Sequence, residues 1–205
     1  MTEVLLATRN PHKLREVREI LSGTDFTVIS IDELEGIPEI VEDGDTFEAN
    51  ADKKARTLAK LTGRVAVADD SGIAVDALGG EPGIYSARWA GVSGAGADLA
   101  NNAQLIERLQ GVAAADRTAR YHCAIAIVTS DGRARYSHAT CEGAIVDEPR
   151  GEGGFGYDPH FAVAGDAAGR RMAELSPDEK NAISHRGKAL RELLPLLQEL
   201  HALPR

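Results

Sequence analysis

Short apolar runs alternate with amphipathic stretches through the first half of this chain, and the alternation then gives way to one long hairpin. The pattern predicts strands near 3–7, 26–31, 65–69, 73–76, 119–129 and 134–146, and helices near 11–22, 46–61, 97–110 and 187–201. Strand–helix alternation builds parallel strands joined by helical crossovers, and a hairpin adds antiparallel ones. The expected class is therefore α/β with a mixed sheet. Leu14, Val17 and Leu21 share one face of the first helix; Leu190, Leu193, Leu194, Leu197 and Leu200 share a face of the last. The hairpin Arg117–Asp147 is long enough to project from the body and offer an edge to a second copy.

The 205 residues, 43% hydrophobic and 27% charged, suit one globular domain covering 1–205. Lys and Arg number 23 against 32 Asp and Glu, a net charge of −9, which argues against binding along a nucleic-acid backbone. A phosphorylated partner is then a small molecule met in a local pocket. Residues 1–6 carry no basic leader pattern and no window is apolar enough to span a bilayer, so a cytoplasmic protein without a membrane partner is expected. Cys123 and Cys141 lack CxxC spacing and read as reduced, buried thiols. A two-residue turn at Asp131-Gly132 sets Cys123 opposite Thr140, with the thiols on opposite faces; one residue of slip reverses that.

Polar residues gather at five places. Thr8-Arg9-Asn10-Pro11-His12-Lys13 joins the first strand to the first helix, with Asn10 suited to the N-cap and Pro11 to the first helical position. Free N–H groups there, with Thr8 and Lys13, suit an anion; a plain capped helix is the bland alternative. Lys54 lies near the centre of a stripe of Phe47, Asn50, Leu58 and Leu61, where an ammonium either snorkels past the helix edge or emerges into a polar site. Asp69-Asp70-Ser71-Gly72 ends the strand 65–69. Adjacent carboxylates point to opposite faces of a strand, so at most one is expected to be buried. The exposed one either caps a turn or serves to bind Mg²⁺ or take a proton. The acidic loop Glu39–Asp45 offers a second metal carboxylate or is simply solvated.

Gly151-Glu152-Gly153-Gly154-Phe155-Gly156 fits G-x-G-x-x-G literally, but Tyr157-Asp158-Pro159 follows at once and opposes the helix that a dinucleotide site requires. A glycine loop presenting Phe155 and Tyr157 beside Asp158 can instead clamp a planar base. Lys180, His185 and Arg186 near the last helix are donors for a base carbonyl or a phosphate, or surface charges beside a capping Ser184. Neither a G-x-S-x-G elbow nor a Walker A sequence occurs.

Taken in order, Thr8-x-Asn10-x-x-Lys13, Ala68-Asp69-Asp70-Ser71-Gly72, Leu78–Arg88, Gly153–Pro159 and Ile183–Gly187 resemble the Ham1/RdgB-type inosine triphosphate pyrophosphatases over nearly the whole chain. The resemblance implies a mixed, twisted sheet in two lobes around a cleft, a homodimer, and Mg²⁺-dependent hydrolysis of ITP, dITP and XTP to monophosphate and pyrophosphate. By position, it assigns Thr8, Arg9, Asn10, Pro11, His12, Lys13 and Lys54 to the triphosphate. Glu42 and Asp70 would engage Mg²⁺, with Asp70 as proton acceptor and Ser71 touching substrate. Phe155, Gly156, Tyr157, Asp158, Lys180, His185 and Arg186 would enclose and read the base. Donors facing a 6-oxo group leave one unpaired against adenine, which costs about 1–3 kcal/mol.

Two features depart from the pattern. Arg9 stands where many members have glycine, and Glu39, Glu42, Asp43 and Asp45 all lie near the expected metal carboxylate, of which Glu42 is the assignment. Two other functions stay in view: a sensor that binds purine nucleotides without cleaving them, and a Maf-like pyrophosphatase acting on other modified nucleotides.

Overall fold

A computed structural model describes residues 2–202, with side chains through residue 199, so Leu200 of the last apolar stripe lies outside the described side chains. Six strands form one mixed sheet: β1 (Thr2–Leu6), β2 (Phe26–Ser30), β3 (Ala66–Val75), β4 (Thr118–Val128), β5 (Ala134–Ile145) and β6 (Phe161–Val163). Their order is β2-β1-β3-β4-β5-β6, with β1 parallel to β2 and β3, and β6 antiparallel to β5. The helices are α1 (Pro11–Leu21), α2 (Phe47–Thr62), α3 (Ala97–Arg108), α4 (Pro177–Ile183) and α5 (His185–Ala202). Residues up to Asp70, Cys123–Ala139 and those from Arg186 onward make one compact unit; Ser71–His122 and Thr140–His185 make another.

In the first unit, strand alternation directly sorts side chains between two cores. Val4 and Leu6 of β1, Val67, Ile125 and Ile127 pack with Val17 and Leu21 of α1 and with Leu190, Leu193 and Leu197 of α5. Leu5 between them, with Ala66, Ala68, Ala126 and Val128, packs against Ala51, Ala55 and Leu58 of α2. Helices on both faces explain why these strands are apolar at consecutive positions. Thr46 caps α2 by accepting from the Ala49 N–H at 3.1 Å, and Gly63 ends the helix in the left-handed region at φ 65°.

In the second unit, Ile73 and Val75 of β3, Ala119 and Tyr121 of β4, Cys141 and Ile145 of β5 and Phe161 of β6 pack with Leu105 of α3, Leu109 and Met172. Arg117 donates to the carbonyls of Val112 (3.0 Å) and Leu109 (3.1 Å), satisfying acceptors at the end of α3.

The structure alters four expectations. The runs 65–69 and 73–76 are one continuous strand, so Asp69-Asp70-Ser71-Gly72 lies mid-strand and makes no turn. β6 and α4, three and seven residues long, are too short for a periodicity to register. The hairpin does not stand free along its length, because Cys123–Val128 is wholly buried and exposure beyond it begins only at the turn. Its turn pairs Thr129 with Arg133 (Thr129 N–H to Arg133 C=O, 2.9 Å), one residue away from a two-residue Asp131-Gly132 turn. Carried along the ladder, that register sets Cys123 opposite Ala139, a neighbour in its core, and Cys141 opposite Tyr121, likewise. The alternation then gives both thiols the same face of the hairpin. Both are buried and outside any disulfide, as expected.

Candidate active site

The segment after β1 is organised by its own side chains. Thr8 Oγ1 accepts from the Asn10 N–H at 3.2 Å, and Asn10 Oδ1 accepts from the N–H groups of His12 (2.9 Å) and Lys13 (3.3 Å). Asn10 is thus the N-cap and Pro11 the first helical residue. The cap takes two of the donors expected to be free for an anion, which leaves that work to side chains. Lys13 supplies one, with Nζ 3.0 Å from Asp69 Oδ2. Arg9 points elsewhere, to Asp32 (2.6 Å) and the Ile37 carbonyl (3.1 Å), and His12 meets Arg15.

Asp69 and Asp70 are both buried, at 2% and 5% exposure, which corrects the expectation that at most one would be. They do point to opposite faces, and each face holds its own partners. Asp69 turns to the α1 and α5 side, where Arg186 donates to it at 3.3 Å and 3.4 Å and also to Glu16 of α1. Burial favours the neutral acid, but Lys13, Arg186 and Lys54 together hold the Asp69 carboxyl well below its ordinary range. Asp70 turns to the α2 side, accepting from Asn50 Nδ2 at 3.0 Å with Lys54 Nζ at 3.5 Å. Its burial outweighs the pull of Lys54 and Lys13, and its pKa is raised.

Lys54 is the hub of this face. Only 6% exposed, it donates to Glu42 and to the Asp69 carbonyl at 2.7 Å as well as facing Asp70. Burial opposes the ammonium, yet Asp70, Asp69 and Glu42 together raise its pKa and keep it charged. Among the acidic-loop residues Glu42 is the one that reaches Lys54, while Asp43 pairs with Lys53 on the surface and Glu39 and Asp45 are exposed. Two carboxylates therefore converge with an ammonium and a backbone carbonyl. No group of three or more His, Cys, Asp or Glu suited to a metal occurs among the described residues.

A separate polar cluster occupies the second unit, whose chain begins at Ser71, half-buried, directly after Asp70. Asp158 organises it: Oδ2 accepts from Lys180 Nζ (2.8 Å) and the Phe155 N–H (3.0 Å), and Oδ1 accepts from Tyr121 Oη (2.9 Å). Lys180 Nζ stands 5.0 Å from the centre of the half-buried Phe155 ring, and His185 stacks on Tyr121 at 4.6 Å with 9° between planes. Gly156 is fixed through its N–H to Asp98 (2.7 Å) and its carbonyl to Asn102 (2.8 Å). Tyr157 is 3% exposed with its hydroxyl on the Ser86 carbonyl, so of the two aromatics expected to clamp a base only the half-buried Phe155 has an accessible ring. Gly154 is obligatory: its φ is +73°, and a Cβ would stand 2.0 Å from Asp158 Oδ2.

Most of the predicted residues thus fall into two groups: Thr8, Asn10, Lys13, Glu42, Lys54 and Asp70 with Asp69, and Phe155, Gly156, Asp158, Lys180 and His185; Arg9 and Tyr157 turn to Asp32 and the Ser86 carbonyl instead. Arg186 joins the first, 1% exposed against Glu16 and Asp69, although its sequence neighbour His185 belongs to the second. Sequence reasoning missed Glu16, Tyr121, Asp98 and Asn102. For Glu16 a signal existed, since it sits three residues after Lys13 on α1 and next to the buried Val17.

Comparison with known proteins places the chain in a family. The Ham1 family model matches residues 4–196. A relative from Geobacter sulfurreducens named dITP/XTP pyrophosphatase is 50% identical over 190 residues, covering 93% of this chain and 94% of its own. A HAM1 protein structure from Coxiella burnetii is 43% identical with a TM-score of 0.85, covering 97% of this chain and all of that one. The structure of a nucleoside-triphosphatase, or dITP/XTP pyrophosphatase, from Mycobacterium abscessus is 44% identical with a TM-score of 0.75, covering 94% and 99%. With a mixed six-stranded sheet, a family match over nearly its whole length and relatives this similar, the chain belongs to the Ham1 family.

Proposed function

We propose that this chain hydrolyses non-standard purine nucleoside triphosphates, ITP, dITP and XTP, to the monophosphate and pyrophosphate, acting as one domain over 1–205. The observation that carries this reading is the convergence of Glu42, Asp70 and the Asp69 carbonyl on the buried Lys54 ammonium, within a chain of this family. Two carboxylates suit a hard cation that completes its shell with water and substrate phosphates, as Mg²⁺ does. Glu42 and Asp70 would hold it, and when bound it offsets phosphate charge and makes a nearby water more acidic.

Lys13 and Lys54 bind the triphosphate, their ammonium groups meeting charge that grows on the bridging oxygen as the bond to the leaving group breaks. Thr8 and the rigid Asn10 cap fix the segment from which Lys13 extends. Asp70, ionised, accepts the proton of the attacking water; the new P–O bond forms at the α-phosphorus while the α–β bridging bond breaks and pyrophosphate leaves. Ser71 lies next to that base along β3 and contacts substrate. Asp69 positions Lys13 and Arg186 and takes no proton, being held ionised by them.

Phe155 stacks on the purine, and Lys180 and His185 supply donors toward its 6-oxo group, with Asp158 orienting Lys180. Arg186 contributes by anchoring Asp69. No helix among the described residues is long and apolar enough to cross a membrane. The reading extends to a cytoplasmic homodimer that clears the nucleotide pool and binds neither nucleic acid nor membrane.

The test is product analysis with ITP, XTP, dITP, GTP and ATP, with Mg²⁺ and with excess chelator. Pyrophosphate from the first three, lost on chelation, supports the proposal. Binding of ITP without release would turn the reading to a sensor, and turnover confined to modified pyrimidines would turn it to a Maf-like enzyme.

A further inference from the structure

Asn50 lies on α2 one turn before Lys54, and its 1% exposure makes it among the most deeply buried polar side chains of the first unit. Its carboxamide spans two elements far apart in sequence. Oδ1 accepts from the Gly44 N–H in the acidic loop at 2.8 Å, and Nδ2 donates to Asp70 Oδ2 at 3.0 Å. The two contacts determine the amide's orientation together. A backbone N–H can only donate, so oxygen must face Gly44, which leaves the NH₂ for a carboxylate that can only accept.

Gly44 is fitted to this contact. A Cβ there would stand 2.9 Å from Asn50 Oδ1 and 2.9 Å from the Ala49 Cβ, so only glycine lets the loop come this close to α2. Two residues before it is Glu42, which reaches Lys54. The acidic loop is thus tied to α2 twice, by Gly44 to Asn50 and by Glu42 to Lys54. Both α2 side chains continue to Asp70.

We propose that Asn50 is a positioning residue that holds Glu42 and Asp70 at a fixed separation through the two ends of one amide. The inference rests on the functional reading in which those two carboxylates serve one reaction centre. Asn50 acts through Asp70, to which its amide donates, and through the loop that carries Glu42. Its contribution is to keep the loop and the strand from relaxing apart when their shared ammonium turns to a phosphate.

The test compares Asn50→Asp, Asn50→Ala, Gly44→Ala and the Asn50→Ala/Gly44→Ala double variant with the unaltered chain. Pyrophosphate release from ITP, thermal melting and amide exchange at Gly44 are measured for each. Asn50→Asp keeps shape and the acceptor for Gly44 but faces Asp70 with a second acceptor; kcat should fall by about 10- to 100-fold with KM for ITP within about threefold. The single alanine variants should also lower kcat, and the double should lose clearly less than their product, since both break one contact. Gly44 exchange should quicken at least about tenfold in Asn50→Ala with melting of the whole chain little changed. The proposal is overturned if Asn50→Asp retains kcat, or if Gly44 exchange does not respond to Asn50→Ala. Should the unaltered chain release no pyrophosphate, the functional reading fails instead, and Gly44 exchange alone decides whether Asn50 fixes the loop.

Discussion

Asp69 and Asp70 are consecutive residues of β3 held by different partners: Asp69 by Lys13 at 3.0 Å and Arg186 at 3.3 Å, Asp70 by Asn50 at 3.0 Å and Lys54 at 3.5 Å. The strand's alternation gives each carboxylate its own partners, and under the proposed function Asp69 is the structural acid and Asp70 the chemical one. Asp70→Asn should therefore lower kcat for ITP by about 10²- to 10⁴-fold, the usual contribution of a general base, with urea unfolding little changed. Asp69→Ala should do the reverse in emphasis. It leaves the buried Arg186 with Glu16 alone and takes the carboxylate from Lys13, and should cost about 3–5 kcal/mol in the same unfolding experiment. Equal effects of the two variants on stability would contradict this division.

Lys54→Ala removes the group on which Glu42, Asp70 and the Asp69 carbonyl converge. Two carboxylates then face one another without a cation, and one phosphate ligand is lost. We expect kcat/KM for ITP to fall by at least about 100-fold while the circular dichroism spectrum is retained. Full activity in this variant would remove Lys54 from the site.

Tyr121→Phe tests the second cluster. The ring's stack on His185 survives, but Asp158 Oδ1 loses its 2.9 Å donor inside a buried site. Loss of a hydrogen bond to a charged group should cost about 1.5–3 kcal/mol of stability, measurable by denaturant titration. Gly154→Ala should be harsher. Its Cβ overlaps the Asp158 carboxylate, so KM for ITP should rise at least about tenfold, more than kcat falls.

Cys123 gives a pH prediction. Burial pushes its thiol up to about 12, with Arg186 only partly opposing. The unfolded chain ionises this thiol from its ordinary value of 9.0, while the folded chain keeps it protonated up to about 12. Stability from this group is therefore complete below pH 9 and declines between those two values, with a slope of about 1.4 kcal/mol per pH unit. Unfolding free energies measured from pH 8 to 11 should fall less steeply in Cys123→Ala. Iodoacetamide should leave native Cys123 unmodified at pH 8.

Much of this was legible from sequence because it is local. The stripe that flagged Lys54 is a property of α2 alone, and Asn10-Pro11 announces its own helix start. What escaped was non-local. Arg186 meets Asp69 across 117 positions and Glu16 across 170, and no periodicity carries that information. Burial of both aspartates escaped for a related reason: alternation assigns the two faces of β3, but only the assembled helices reveal that each face has a cation waiting. His185 and Arg186 look like one recognition motif in the sequence, yet the chain passes from one compact unit to the other between them.

That passage is one of four, at Asp70/Ser71, His122/Cys123, Ala139/Thr140 and His185/Arg186. Neither unit is a continuous stretch of polypeptide, so neither can be expressed, deleted or exchanged between homologues by a single cut. A chimera that transplants the second unit, proposed to read the base, needs four splice points, two of them between adjacent residues of the candidate site, at Asp70/Ser71 and His185/Arg186. Within such an architecture a point substitution disturbs no chain passage, whereas exchange of a whole unit must preserve all four.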